Sequence, residues 1–304
     1  GIVRVDLLDA TAADTLLVTS KYTANLTVNS AGGNDTITTG AGADLISVGT
    51  GDYVIDTGAG ADRIRVSGNE LTAADKIAGG TGADTVELDV TAGAVTAEAN
   101  LTNVTGVERF AVVSTDGKGG DRIAGTNTGD VDNNVLTFSN AAANLFDAST
   151  PIEVDARGLT DTADSLRVVI ANTVLDSDIV FNVFGGAATT IVEKLNAGID
   201  NDINFIGGAG RDEFRLSGGD GGLGVVFDGA GGTDDRVVQL GGILSDNDFL
   251  NFSNVEVLAA SGVALDAVLG AEAAQAGIVR VEGGAANDRL TVSSGFIAAG
   301  GLLV

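Results

Sequence analysis

Apolar side chains recur every nine residues in the first third of the chain, at Val28, Ile37, Ile46, Ile55 and Ile64. Their neighbours are mostly polar, and the residues between them are rich in glycine, alanine, threonine and aspartate. One inward side chain between polar neighbours is typical of a short β-strand with one buried face. The intervening glycines favour tight turns. The period therefore predicts stacked three-residue strands separated by turns, with apolar side chains inside.

The nine-residue unit has the form Gly-Gly-x-Gly-x-Asp-x-apolar-x, in which the aspartate precedes the strand. It occurs in register at residues 30–38, 39–47, 48–56 and 57–65, matches fully at 79–87 and 207–215, and recurs more loosely at 117–123, 125–131, 229–237 and 283–290. Two units make one coil of a roll, so aspartates two units apart share an edge. We expect Asp44 and Asp62 on one edge, and Asp35 on the other with position 53, where Tyr53 interrupts the series.

Aspartates stacked at the strand spacing of about 4.8 Å repel one another unless a cation lies between them. Ca²⁺ suits such a site because it takes six to eight oxygen ligands, whereas Mg²⁺ prefers a smaller octahedron and Zn²⁺ prefers nitrogen or sulfur. The pattern therefore predicts several bound Ca²⁺ ions, held by carboxylates and turn carbonyls. Where Tyr53 replaces an aspartate, we expect either a weaker site or a carboxylate supplied by Asp52. In the unit at 229–237, we expect either Asp234 or Asp235 to be the ligand. The predicted ligand positions are Asp35, Gly40, Gly42, Asp44, Gly49, Gly51, Asp52, Gly58, Gly60, Asp62, Asp75, Gly80, Gly82, Asp84, Asp121, Asp130, Gly208, Gly210, Asp212, Asp234, Asp235 and Asp288.

Composition narrows the classes of function. The chain has 42 acidic and 16 basic residues, a formal charge of −26, which opposes binding to nucleic acid or anionic membranes. With no His and no Cys, it offers no Ser-His-Asp triad, Cys-His pair, His-based zinc site or disulfide. Carboxylate-only chemistry such as glycoside hydrolysis stays open. Because the acids follow the ladder pattern, we expect no enzyme, and no apolar run predicts a transmembrane segment.

Other segments suggest internal duplication. Residues 101–112 and 249–258 both join Asn-Val or Val-Glu motifs to apolar residues and are predicted to be strands of a parallel β-helix. Their glutamates, Glu108 and Glu256, are either ligands or solvated or carbonyl-bonded at a strand edge. Gly-Ile-Val-Arg-Val occurs at 1–5 and again at 277–281. Residues 190–196 are predicted to form a short helix, and 264–276 a helix or loop.

These patterns predict an all-β fold, a right-handed parallel β-roll or β-helix solenoid with calcium-binding nonapeptide turns and small inserts. The expected organisation is leading solenoid strands at 1–29, a β-roll at 30–90, β-helix with weaker motifs at 91–134, a low-repeat insert at 135–204, a second β-roll at 205–240, and a C-terminal β-helix at 241–304 with a final motif. The apolar end of the chain is either a secretion signal or a last strand that closes the roll.

With these motifs the chain resembles the repeats-in-toxin (RTX) proteins, and most closely the calcium-binding C-terminal part of RTX-type bacterial surface-layer proteins. The resemblance implies type I secretion, an extracellular location at the cell surface, and a structural role. Calcium-dependent folding and self-association would then build a homo-oligomeric two-dimensional lattice. The lattice would be anchored to a cell-surface polysaccharide through a region outside this chain. The alternatives are an extracellular adhesin module and the secretion and folding tail of an RTX enzyme.

Overall fold

The protein is a parallel β-solenoid, in which almost every strand pairs with the strand one coil before it and one coil after it. The structure is a computed structural model and describes residues 3–67, 70–90, 101–113, 133–138, 151–160, 162–171, 180–195, 202–221, 224–285, 287–297 and 301–304. The predicted all-β solenoid is thereby confirmed. No helix among these residues has the length and hydrophobicity needed to cross a bilayer.

Four parallel sheets contain the described strands. The eleven-stranded sheet consists of β1 (Arg4–Leu7), β3 (Thr27–Ser30), β5 (Leu45–Ser47), β7 (Arg63–Ser67), β9 (Thr85–Asp89), β11 (Arg109–Val113), β13 (Ile152–Gly158), β15 (Val180–Phe184), β17 (Asp202–Ile206), β19 (Val225–Asp228) and β21 (Phe252–Ser253). The five-stranded sheet consists of β2 (Thr15–Leu17), β4 (Thr36–Thr38), β6 (Val54–Asp56), β8 (Lys76–Ala78) and β10 (Val104–Thr105). The seven-stranded sheet consists of β12 (Asn133–Phe138), β14 (Ser165–Ile170), β16 (Thr189–Lys194), β18 (Asp212–Ser217), β20 (Arg236–Gly241), β22 (Val257–Ala260) and β24 (Arg280–Val281). The two-stranded sheet pairs β23 (Asp266–Leu269) with β25 (Arg289–Val292), and the helical elements are a 3₁₀ turn (Asp246–Phe249) and α1 (Ala271–Ala276).

The register follows the period of the sequence. Thr27 pairs with Leu45 and Leu45 with Arg63, so a coil in this part of the chain contains eighteen residues. The next coil is longer, because Val54 pairs with Lys76, twenty-two residues later. The extra residues lie in the turns, and the strands keep their alignment through them.

The core is a set of side-chain columns that run along the solenoid axis. In the eleven-stranded sheet the column contains Val28, Ile46, Ile64, Val86, Phe110, Val154, Val183, Phe205, Phe227 and Phe252. All of these are buried, and the Phe205 and Phe227 rings stack with centroids 4.9 Å apart. In-register parallel pairing of identical or similar apolar residues therefore builds the interior one coil at a time.

Residues 190–196 are not the predicted helix, since residues 189–194 form β16. Thr190 and Val192 pair with Asp212 and Phe214 of the next coil, and a run of β-branched residues favours the extended chain. Within 135–204, β13 and β15 join the eleven-stranded sheet and β14 and β16 join the seven-stranded one. Within 264–276, β23 precedes α1.

Candidate metal centre

The motif aspartates form hydrogen-bonded rungs between consecutive coils. In each rung, the backbone N–H of a residue just before or at the start of a strand donates to the carboxylate at the same place in the next coil. Leu26 donates to Asp44 at 2.8 Å, Asp44 to Asp62 at 2.7 Å, Asp62 to Asp84 at 2.8 Å, and Asp84 to Glu108 at 2.7 Å. We call Asp44, Asp62, Asp84 and Glu108 the first ladder. The predicted shared edge of Asp44 and Asp62 is confirmed.

The opposite edge carries the second ladder, Asp35 and Asp75, with Tyr53 between them. Asp14 donates to Asp35 at 2.9 Å, and Tyr53 donates to Asp75 at 2.9 Å. Tyr53 thus stands at the position of Asp35 one coil on, as the spacing predicts, and its ring is buried. Asp52 does not take over this rung, because its side chain is exposed.

A third ladder lies in the seven-stranded sheet and consists of Asp212, Asp235 and Glu256. Thr190 donates to Asp212 at 3.1 Å, Asp212 to Asp235 at 2.7 Å, and Asp235 to Glu256 at 2.9 Å. A separate rung joins the N–H of Leu265 to Asp288 at 2.7 Å. The first and third ladders both end in a glutamate.

The glycines of the motif are required by the stacking of these turns. A Cβ on Gly80 or Gly82 would overlap the carbonyl oxygen of Gly58 or Gly60 in the coil below. A Cβ on the first glycine of a unit would meet that unit's own carboxylate, 3.0 Å from Asp84 Oδ2 in the case of Gly79. The motif therefore reserves space for one carbonyl and one carboxylate in every turn.

Turn carbonyls take part in bonds between coils as well. Gly58 O accepts from Thr81 N at 2.9 Å, and Gly208 O accepts from Gly231 N at 3.0 Å. A carbonyl oxygen has two lone pairs, so each of these keeps one acceptor position. The predicted glycines, all of which lie in such turns, are Gly40, Gly42, Gly49, Gly51, Gly58, Gly60, Gly80, Gly82, Gly208 and Gly210.

The two edges differ in whether the second carboxylate oxygen has a donor. Asp35 Oδ2 accepts from the Ser30 hydroxyl, and Asp75 Oδ2 accepts from Thr72 N at 2.6 Å. In the described part of the chain, by contrast, no donor reaches Oδ2 of the four buried residues Asp44, Asp62, Asp84 and Asp235.

The Thr57 hydroxyl lies beside Asp62, but it donates its single proton to Gly79 O at 2.6 Å. It therefore leaves the Asp62 carboxylate oxygen without a donor. Three consecutive rungs of the first ladder thus carry a buried Oδ2 atom that has no donor among the described residues.

Burial makes three of these carboxylates, those of Asp62, Asp84 and Asp235, hold protons more strongly. It raises the pKa of Asp84 to about 6, and the charges of Asp62 and Glu108 add to the effect. Burial likewise raises the pKa of Asp62, with a contribution from Asp44, and raises the pKa of Asp235 to about 6. Each ionised group is therefore unfavourable where it lies, and a cation would relieve it.

Among the described residues, the ion-paired arginines lie elsewhere, along the faces of the sheets, and the buried Lys194 pairs with Asp220. Arg109 pairs with Glu153 at 2.9 Å and Arg167 with Glu193 at 2.6 Å, and similar pairs continue along both faces. Among the ion pairs of the described residues, none involves an aspartate of the first ladder. The positive charges therefore neutralise the sheet faces and leave the ladder edges negative.

Several predicted positions occupy other places. Asp235, rather than Asp234, lies in the third ladder, because Asp234 faces outward and pairs with Arg236 at 2.6 Å and with Arg280. Asp288 accepts two backbone N–H groups but is exposed. Asp121 and Asp130 lie outside the described residues.

The sequence left the glutamates of the Val-Glu segments open between a ligand role and a solvated or carbonyl-bonded one, and the structure places both in the ladders. Glu108 and Glu256 accept backbone N–H bonds at the edge of a strand, which differs from a solvated or carbonyl-bonded position. The signal in the sequence was their place directly before an apolar strand, the place that aspartate takes in the nonapeptide.

Across the described ranges, no three acidic side chains converge on one point as a preformed metal centre. A cation at the first ladder would therefore draw on two successive carboxylates together with turn carbonyls. The orphaned Oδ2 atoms and the space kept by glycine fit an oxygen-seeking ion. No protein-family model, curated protein or solved structure matches the chain.

Proposed function

We propose that this chain is an extracellular structural protein of the surface-layer type, whose folding and self-association depend on calcium. The observation that carries the proposal is the row of buried Oδ2 atoms of Asp44, Asp62 and Asp84, which no donor satisfies in the described part of the chain. Buried carboxylates without partners are costly, and a chain with a charge of −26 has few cations to spare for them.

The first ladder would hold Ca²⁺ between successive aspartates, with carbonyls of the glycine turns as further ligands. The bound ion would supply positive charge and oxygen coordination. Each aspartate would keep its rung through Oδ1 and offer Oδ2 to the ion. The second ladder is less suited to binding Ca²⁺, because the Oδ2 atoms of Asp35 and Asp75 already accept hydrogen bonds from Ser30 and Thr72.

Calcium binding of this kind stabilises the folded chain because many weak sites act together. Extracellular calcium modules bind at roughly 10⁻⁴–10⁻³ M, so ~10 mM ion over a ~1 mM site contributes about 1.4 kcal/mol. Four such sites would contribute roughly 5–6 kcal/mol, comparable with the whole stability of a domain. A chain of this type would remain weakly folded at the submicromolar calcium of a cytosol and fold outside the cell.

A structural role agrees with the way the acidic residues are used. Each ladder carboxylate bonds the backbone of a neighbouring coil, so the acids hold the solenoid together. Calcium would cancel the repulsion between copies, which would then associate into a layer.

The decisive experiment compares two variants in a calcium titration. Asp62→Asn removes a charge from the first ladder, and Asp75→Asn makes the same change in the second ladder, where both oxygens are already bonded. We expect Asp62→Asn to weaken calcium binding by roughly tenfold and Asp75→Asn to change it much less, measured by calorimetry and by melting in far-UV circular dichroism.

Equal melting temperatures of the wild-type chain in chelator and in 10 mM calcium would refute the dependence on calcium. Light scattering and negative-stain imaging at millimolar calcium would test assembly. A protein that stays monomeric there would exclude the layer and favour an adhesin or secretion-tail role. Magnesium should not substitute, because it requires a smaller octahedral site.

A further inference from the structure

Lys194 occupies an inward position that the neighbouring coils fill with apolar residues. It ends β16 on the same face as the buried Val192, two residues earlier. Ile170 pairs with Lys194 in the coil before, and the register of β16 with β18 places Leu216 beside it in the coil after. Both of these neighbours are buried, so the amine of the lysine lies in the core of the solenoid.

The partner of this lysine is buried to the same degree. Lys194 Nζ lies 3.8 Å from Asp220 Oδ1, and the two side chains are 3% and 2% exposed. In the other ion pairs of the described residues, the least exposed cation is Arg236, at 13%. Asp220 belongs to the turn after β18, so the pair joins two consecutive coils.

A second carboxylate fixes the turn that carries Asp220. Asp248 Oδ1 accepts from the N–H groups of Gly219 and Gly221, on either side of Asp220, at 3.0 and 3.1 Å. Asp248 Oδ2 accepts from the N–H and the hydroxyl of Ser245 at 2.7 and 2.8 Å. Asp248 is itself buried, and a Cβ on Gly221 would overlap its carbonyl oxygen. The turn therefore holds Asp220 within reach of the lysine.

This setting favours condensation of the two groups. Removing an ammonium and a carboxylate from water is costly even when they are paired, and an amide between them carries no charge. Groups that a folded chain holds in contact react as if each were present at about 10⁵–10⁸ M. Burial and fixed geometry thus both act toward a covalent link.

We propose that Lys194 and Asp220 form an isopeptide bond, an amide between Nζ and Cγ that joins two consecutive coils covalently. The ammonium first passes one proton to the carboxylate, which leaves an amine and a carboxylic acid. The amine nitrogen then attacks Cγ, so that the Nζ–Cγ bond forms and one Cγ–O bond breaks. The hydroxyl oxygen leaves as water, with its own proton and one proton from the nitrogen.

The reaction needs no oxidant, reductant or further reactant, because the ion pair contains every atom of the amide and of the water. No calcium ion takes part in it. The inference is therefore separate from the proposed function and describes a modification of the folded chain.

Mass spectrometry of the folded full chain tests the bond without any substitution. We expect the intact protein to weigh one water molecule less than its sequence. Trypsin cleaves after lysine and arginine but not after a lysine whose amine is in an amide. Digestion should therefore give a branched species in which residues 168–211 are joined to residues 216–236. The exposed Lys76 is the internal control and should be cleaved normally.

A variant separates the bond from other losses of water. Lys194→Arg keeps a positive charge at the position and should show the full sequence mass and no branched species. Lys76→Arg, the matched control, should lose one water molecule as the wild-type chain does. A loss of water that persists in Lys194→Arg, such as a succinimide at Asp220 and Gly221, would overturn the proposal.

The wild-type chain can also refute the bond by itself. If the protein is folded by far-UV circular dichroism, has its full sequence mass and releases a peptide that ends at Lys194, the isopeptide bond is excluded, even if calcium still folds the chain. A branched species in a chain whose folding does not respond to calcium would instead confirm the bond and refute only the proposed function.

Discussion

The ladder aspartates whose pKa is raised by burial should make the calcium-free protein less stable as the pH rises, and Asp212 allows the effect to be isolated. Burial, followed by the charge of Asp235, raises the pKa of Asp212 to about 7. The folded chain therefore holds this proton more tightly than the unfolded chain, in which the pKa is about 3.9. Below pH 4 both states are protonated and the carboxylate costs nothing. Between pH 4 and 7 the free energy of unfolding should fall, and above pH 7 the loss is complete.

The size of the loss follows from the shift. At about 1.4 kcal/mol per pKa unit the complete loss is at most about 4 kcal/mol, of which roughly 2–3 kcal/mol falls between pH 5 and 8. Asp155, whose pKa is held at about 2 by its arginine hydrogen bonds despite burial, stays ionised over this window and adds no slope.

The assay is urea unfolding in chelator at several pH values between 5 and 8, followed by far-UV circular dichroism. Asp212→Asn should lower the dependence on pH by about 2 kcal/mol over the window. Any constant cost of the amide shifts the whole curve and leaves its slope unchanged. Asp56→Asn, at an exposed position on β6, is the control and should retain the wild-type slope. If Asp212→Asn and the wild-type chain lose stability in parallel, the raised pKa is not the cause.

Three further predictions concern the rungs and turns. Gly80→Ala should lower the free energy of unfolding in urea by about 3 kcal/mol or more, because Gly80 has a φ of 90° and an added Cβ would overlap a carbonyl of the coil below. Gly219 has the same φ but open space around it, so Gly219→Ala should cost only about 1–2 kcal/mol. Similar losses for the two variants would contradict the stacking argument. Glu108→Ala should cost about 1–3 kcal/mol by leaving a backbone N–H unbonded, and Glu108→Gln should cost less than 1 kcal/mol; equal costs would exclude the rung. Asp44→Asn and Asp62→Asn should be non-additive in calcium affinity measured by calorimetry, and strictly additive effects would mean that the two carboxylates share no ion.

The fold could be predicted because the same nine-residue pattern recurs many times along the sequence. Glycine turns and single apolar residues at a nine-residue period leave only one way to bury Ile37 and Ile46, and the eighteen-residue coil places Asp44 over Leu26. The interruption at Tyr53 was predictable from the same count. Where the period lapses, as at residues 190–196, no spacing indicated the pairing, and the predicted helix was wrong because the β-branched residues favour a strand that pairs with β18.

The chemistry of the ladders was predictable only in part. Counting positions shows that carboxylates stack, but it does not show that each one first accepts a backbone N–H from the preceding coil. The difference between Asp62, with one oxygen left open, and Asp75, with both bonded, depends on Thr72 lying three residues before Asp75 in a longer turn. Such contacts are set by turn geometry, which the periodic pattern does not encode.

The rungs connect each coil only to its immediate neighbours, and this has an evolutionary consequence. When one whole coil is duplicated or deleted, its neighbours can form equivalent rungs with each other or with the new coil. A solenoid of this kind can therefore lengthen or shorten by duplication or deletion of the gene segment for one coil. Inserting residues between Gly80 and Asp84 would instead misplace a carbonyl, a glycine and a carboxylate together. Lineages of such proteins should therefore differ freely in the number of coils while their turns change slowly, and the identical segments at 1–5 and 277–281 would be a trace of that process.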